Sequence, residues 1–260
     1  MISLIRSVWT WTATAGLILF WTPLLFLIRL SDADPVRYRT GRWFRRLGAA
    51  MVRANPSWRL DRQGAVITDP RRPYVVVCNH QSLADIPLIS CLPWEMKWLA
   101  KAELFRLPFV GWMMTMAGDI PVERGDRTKA ATALLRAKWY LERRCSVMFF
   151  PEGTRSPDGR IHAFTEGAFR LAIRQQAPVL PLAIDGSAGC LPKSRWTFGP
   201  PARIRLAVLP PVDTAGSTPD DAGRLSEDVR ARIIRTVAQW RTVDPRTVDG
   251  LQPSAGVAAR

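Results

Sequence analysis

Val75-Val76-Val77-Cys78-Asn79-His80-Gln81-Ser82-Leu83-Ala84-Asp85-Ile86-Pro87-Leu88 decides how the chain is read. Four apolar residues in a row, closed by an asparagine, have the length and composition of a strand buried on both faces. The polar residues that follow sit where such a strand turns into a helix, and they include His80 and Asp85. The chain has two histidines, His80 and His162. Imidazole is the side chain that ordinarily titrates nearest neutral pH. General-base chemistry by a histidine therefore has two candidates, and of these His80 follows a buried-looking strand. The spacing from His80 to Asp85 is about 140° around a regular helix, so the pair cannot share one helical face. The two can meet if His80 lies in the turn and Asp85 in the first helical turn. The carboxylate would then accept from one ring nitrogen and leave the other free to take a proton. Ser82-Leu83-Ala84-Asp85 is also a capping-box pattern, which accounts for Asp85 without any chemistry.

Outward from this stretch, short apolar runs alternate with helical patterns. Strands are expected at Val75 to Cys78, Met96 to Ala100, Asp119 to Glu123, Ser146 to Phe150, Val179 to Ile184 and around Ile204, Leu206 and Val208. Helices are expected at Ser82 to Cys91, from a cap at Asp126 to about Arg144, at Thr165 to Gln175 with Thr165 as cap, and over Leu225 to Trp240. Phe109 to Ala117 is apolar all round. The alternation predicts an α/β domain with a central, mostly parallel or mixed sheet flanked by helices. That catalytic unit is expected over residues 58–241, with residues 242–260 a disordered tail.

Residues 1–57 read as a membrane-anchoring helical segment. Arg6 and Arg29 bracket 22 uncharged residues, Ser7 to Ile28, enough to cross a hydrocarbon core of about 30 Å as a helix. Pro23 can kink or end that helix, so a helix lying in one leaflet is as open as a full span. No small-residue cleavage site follows, which argues against a secretory signal. Pro35 to Arg53 sets Arg37, Arg39, Arg42, Arg45, Arg46 and Arg53 around Val36, Trp43, Phe44, Leu47 and Met51 at helical spacing. That is the pattern of a basic amphipathic helix on a membrane surface, or of a helix covering the domain. Positive residues on the C-terminal flank of the apolar segment put the body of the protein on the cytoplasmic side, which is the inner membrane if the source is bacterial.

A formal charge of +15, with five lysines among 37 basic residues, points to a polyanionic partner. No zinc finger, basic zipper or RNP-like segment accompanies it, so a membrane surface, anionic in character, is the better reading and nucleic acid is not expected. Cys78, Cys91, Cys145 and Cys190 are scattered, with no C-x-x-C pair. Neither a metal site nor a disulfide framework is expected.

Phe149-Phe150-Pro151-Glu152-Gly153-Thr154-Arg155-Ser156 is the second chemically suggestive stretch. A strand runs into a turn with a glycine, two hydroxyls and an arginine. That combination suits a phosphate monoester, although an ordinary polar turn has the same composition.

Four ordered blocks now stand out: Asn79 to Asp85, Gly118 to Arg124, Phe150 to Ser156, and Val179 to Leu182. Together they resemble the glycerolipid acyltransferases, specifically the 1-acylglycerol-3-phosphate (lysophosphatidate) acyltransferases, over roughly residues 60 to 210. Lys101 followed by Pro108-Phe109-Val110-Gly111-Trp112 fits the same pattern. The second block departs from it at Asp119 and Pro121. The resemblance implies that His80 deprotonates an acceptor hydroxyl, with Asp85 orienting the ring. It implies that Glu152, Gly153, Thr154 and Arg155 hold the acceptor, with Lys101 and Arg124 adding positive charge. The donor implied is acyl-CoA or acyl-carrier protein, the acceptor a lysophospholipid, the product phosphatidate, and no cofactor or metal is called for. Another acceptor, a lyso-ornithine lipid or a different lysophospholipid, fits the same blocks. No G-x-S-x-G elbow of a hydrolase appears.

Overall fold

In the computed structural model, which describes residues 2–123, 125, 127–192 and 196–251, the body is one seven-stranded sheet. Its strands are β1 (Trp58–Gly64), β2 (Val75–Cys78), β3 (Met96–Lys101), β4 (Ile120–Val122), β5 (Ser146–Phe149), β6 (Val179–Asp185) and β7 (Ala202–Val208), in the order β1-β7-β6-β2-β5-β3-β4. From β6 to β4 all neighbours are parallel, while β7 runs antiparallel to β6 and carries β1 parallel to itself. The sheet is therefore mixed and mostly parallel, with helices on both faces. Every residue of β2 is buried, because Val75 and Val77 face one apolar layer while Val76 and Cys78 face the other.

The helices are α1 (Ile2–Leu30), α2 (Tyr38–Ala54), α3 (Asp85–Ile89), α4 (Val110–Ala117), α5 (Arg127–Glu142), α6 (Gly167–Arg174), α7 (Ala222–Arg241) and α8 (Pro245–Val248). Several depart from the sequence reading. α3 is shorter than Ser82 to Cys91, with Ala84 at its N-cap and Ser90 at its C-cap. Thr165 does not cap α6: its hydroxyl and its N–H both donate to Pro151 O, and Glu166 stands at the N-cap. Asp126 lies outside the described residues. β1 escapes a search for apolar runs, since Trp58-Arg59-Leu60-Asp61-Arg62-Gln63-Gly64 is mostly polar, and only its register with β7 makes it a strand. The tail is not structureless through residue 251. Val248 in α8 is buried, and Asp249 pairs with the buried Arg230 of α7.

α1 continues through Pro23 and is long and apolar enough to cross a membrane. One face packs inward, with Ser7, Thr10, Leu25 and Ile28 buried, while Leu4, Ile5, Val8, Leu19, Phe20, Phe26 and Leu27 form an exposed apolar stripe. The helix is pinned along its length. Ser7 Oγ accepts from Phe198 N–H at 2.9 Å, Trp11 Nε1 donates to Trp196 O at 2.7 Å, and Trp21 Nε1 donates to Trp43 O at 2.9 Å.

α2 has the helical period expected of it but not the uniform basic face. Arg45 is buried and forms ion pairs with Asp119 and Glu95, and Arg37 and Arg42 donate to the carbonyls of Thr115 and Leu92. Beneath it Lys97 is fully buried. Its ammonium donates to Glu95 Oε1 at 3.0 Å and to Ala117 O at 2.7 Å. Two cations and two carboxylates thus join α2 to β3 and to the residue before β4. Removing one member leaves a buried charge without its partner. Asp119→Ala is expected to cost about 3–5 kcal/mol of stability, read from the urea midpoint; an unchanged midpoint would show that the network does not hold α2 in place.

Candidate active site

Parallel strands end at one edge of a sheet, and residues that follow different strands meet there. His80 follows β2, Lys101 closes β3, Glu152 to Arg155 follow β5, and Asp185 closes β6. The topology thus brings residues far apart in sequence to one rim. Arg124, just past β4, lies outside the described residues.

At this rim His80 Nδ1–H donates to Asp85 Oδ2 at 2.8 Å. A carboxylate only accepts, so the proton sits on Nδ1 and the Nε2 lone pair is left for chemistry. The same oxygen also accepts the N–H groups of Gln81 at 2.7 Å and Ser82 at 2.9 Å. The capping box expected at Ser82 forms only by half, since Ala84 stands at the N-cap and Ser82 Oγ does not accept from Asp85 N–H, but the Asp85 carboxylate closes the turn and orients the ring together. Phe150 stacks on the imidazole, centroids 3.9 Å apart and planes 17° off parallel.

The loop after β5 grips His80 from the other side. His80 N–H donates to Glu152 Oε1 at 2.8 Å, and Ser156 N–H donates to His80 O at 2.8 Å. The second carboxylate oxygen of Glu152 accepts His162 N–H at 3.1 Å. Burial pushes the Glu152 carboxyl above its usual range, and the two N–H donors pull it back only in part. Gly153 takes φ 71°, a left-handed conformation that suits glycine, and its N–H donates to Phe150 O. Thr154 is exposed and Arg155 half-buried on this loop, and Lys101 pairs with Glu103 at 3.0 Å. His80, Asp85 and Glu152 are thus in direct contact, whereas Lys101, Thr154 and Arg155 share the rim without touching the dyad.

Asn79 and His162, both quoted from the sequence, support the site in ways that the sequence does not assign to them. Asn79 bridges β2 to β6, donating from Nδ2 to Ile184 O and accepting from Ile184 N–H, both at 2.9 Å. His162 contributes only its backbone N–H. An asparagine closing a fully buried strand was the signal available for the first, while nothing local marked the second.

Cys78 is fully buried. Burial, and then the nearby Asp85 and Glu152, hold its thiol well above the ordinary range. Next to the dyad lies an apolar cavity of about 240 Å³, lined by Phe44, Leu47, Met51, Ile86, Trp98 and Met113. Trp98 packs near Phe150, ring centroids 5.8 Å apart, so a run of rings leads from His80 to the cavity.

The acyltransferase family model matches residues 60–185, which include all five strands of the parallel set. The chain is 34% identical over 204 residues to 1-acyl-sn-glycerol-3-phosphate acyltransferase alpha of Ovis aries, covering 76% of this chain and 70% of that one. It belongs to the acyltransferase family, among the 1-acyl-sn-glycerol-3-phosphate acyltransferases. It is 37% identical over 179 residues to the alpha enzyme of Mus musculus, covering 68% of this chain and 62% of that protein, less than two thirds of its length. A crystal structure of the 1-acyl-sn-glycerophosphate acyltransferase PlsC from Thermotoga maritima superposes with a TM-score of 0.77 at 28% identity, covering 92% of this chain and 96% of that one.

Within this family frame, Asp85→Asn keeps an acceptor oxygen but removes the charge that would stabilise a protonated ring. Acyl transfer by the variant is expected to fall about a hundredfold or more. The measurement is initial rate of thiol release, and a loss under about threefold would leave the capping role as the sole function of Asp85.

Proposed function

We propose that the chain transfers an acyl group from acyl-CoA or acyl-carrier protein to the sn-2 hydroxyl of 1-acylglycerol-3-phosphate, giving phosphatidate. The observation that carries this reading is the His80–Asp85 pair at the sheet rim, beside a cavity with the chemistry of an acyl chain. His80 Nε2 takes the proton of the acceptor hydroxyl as its oxygen attacks the thioester carbonyl. The C–O bond forms, the C–S bond breaks, and the proton passes from the imidazolium to the departing thiolate. Asp85, held by three N–H groups, stabilises the imidazolium between those steps. No acyl-enzyme is required, in keeping with the inert, buried Cys78.

Arg155 and Lys101 are the cations suited to the acceptor phosphate, with Lys101 exchanging Glu103 for it, and Thr154 is placed to add a hydroxyl donor. Arg124 keeps the role its motif implies. Glu152 has a different job from the one the motif implies. Both its oxygens already accept backbone N–H groups, so it positions His80 and leaves the acceptor to Arg155. The exposed stripe of α1 supports immersion in one leaflet, with the helix lying along the body and the rim facing the cytoplasmic side.

The direct test incubates the purified protein with one acyl-CoA and a panel of lysolipids, with His80→Ala alongside, and reads products by mass. Phosphatidate from wild type and none from the variant is expected; equal product from both would remove the mechanism, and product from another lysolipid alone would move the acceptor. Glu152→Gln offers one acceptor where two N–H groups need one each, so kcat is expected to drop about tenfold with KM for the lysolipid unchanged. Arg155→Ala should show the opposite split, a raised KM. A raised KM in the Glu152 variant would return that residue to the acceptor site.

A further inference from the structure

A second cavity, of about 280 Å³, opens on the other side of α2. Its walls include Arg42, Arg46 and Arg53 from α2, with Trp21 from α1 and Trp43 beside them. The arginines recur at helical spacing along one face, and the small side chains of Ala49 and Ala50 between them make the depression. No carboxylate forms an ion pair with any of the three among the described residues, although Glu95 acts on Arg42 at longer range. Burial and then, after Glu95 is counted, the neighbouring Arg46 push the Arg42 guanidinium below its usual range. A fourth guanidinium, that of Arg62, donates to the carbonyl of Cys91 on the cavity rim at 2.8 Å. A cluster of like charges with no internal counter-ion gains from an external anion.

The groups suit a phosphate. The Arg46 guanidinium carbon lies 4.4 Å from the centroid of the Trp43 ring, a cation–π contact that restrains a group able to bind phosphate in bidentate fashion. Arg42 is fixed by its bond to Leu92 O, so its remaining donors are preset. The volume is a little under the range that encloses a drug-sized ligand, so it suits a headgroup better than a nucleotide. The groove also adjoins the apolar cavity: Ser90 lines both, and α2 gives Phe44, Leu47 and Met51 to one and its arginines to the other.

We propose that Arg42, Arg46 and Arg53 form a binding site for the phosphate of an anionic phospholipid headgroup, separate from the acceptor's phosphate site at the rim. The inference rests on the reading that α1 lies on the membrane, since that reading brings headgroups to this face.

The test uses flotation of the full chain with vesicles of three compositions: phosphatidylcholine alone, with added phosphatidylglycerol, and with added phosphatidate. Binding to the neutral vesicles reads the α1 contact; the increment on either anionic vesicle reads the groove. Arg46→Gln with Arg53→Gln is expected to leave neutral binding and Tm unchanged. It should reduce the anionic increment about twenty-five-fold, roughly fivefold for each cation near an anionic surface. Arg39→Gln with Arg59→Gln removes the same charge outside the groove and should retain at least half the increment. Equal losses in the two double variants would mean diffuse surface charge and overturn the site. So would an increment unchanged in the first. Inorganic phosphate should compete at millimolar concentration where sodium chloride of equal ionic strength does not. Binding of inorganic phosphate with no anionic increment would mean a free-phosphate site and overturn the lipid assignment. Absence of neutral binding in wild type would remove the membrane reading, while the phosphate titration would still read the groove.

Discussion

One carboxylate oxygen governs the rim of this sheet. Asp85 Oδ2 collects N–H groups from His80, Gln81 and Ser82, so the turn after β2 cannot adopt another path without leaving those donors unpaired. His80 is then fixed from four directions, two on its ring and two on its backbone. Asp85 holds Nδ1, Phe150 holds its face, Glu152 holds its N–H and Ser156 holds its carbonyl. Such over-determination leaves the His80 ring little freedom to reorient.

A second constraint binds the helical hairpin to the sheet. Buried ion pairs are weak evidence of net stability, because desolvation offsets most of their attraction. Their value here is specificity. The charges of Arg45, Glu95, Lys97 and Asp119 can be satisfied together in one seating of α2 over β3, and that seating also builds one wall of the apolar cavity. Arg45 and Asp119 lie on that wall themselves. A shift of the helix would break the network and deform the cavity together.

The sequence disclosed β2, β5 and β6 because each is a short apolar run buried on both faces. It disclosed the dyad because the blocks keep a fixed order. What it hid has physical causes. β1 is defined by its partner and not by its own composition. Arg45 looks like any other arginine on a basic helix until Asp119 and Glu95, 50 or more residues away, fold against it. Glu152 lies in a motif that suggests ligand binding, and only three-dimensional pairing reveals that both its oxygens are already engaged. α8 was lost because residues 242–251 carry too little apolar surface to signal packing, although Val248 is fully buried.

The bonds from Ser7 to Phe198, from Trp11 to Trp196 and from Trp21 to Trp43 give α1 a further property. A helix joined to its body by a loop would act as a tether, and the body could tilt and rise freely above whatever surface the helix entered. Held at Ser7, Trp11 and Trp21, α1 behaves instead as a keel. A surface that took up α1 would set the height and the tilt of the sheet rim together, and with them the distance from that surface to His80.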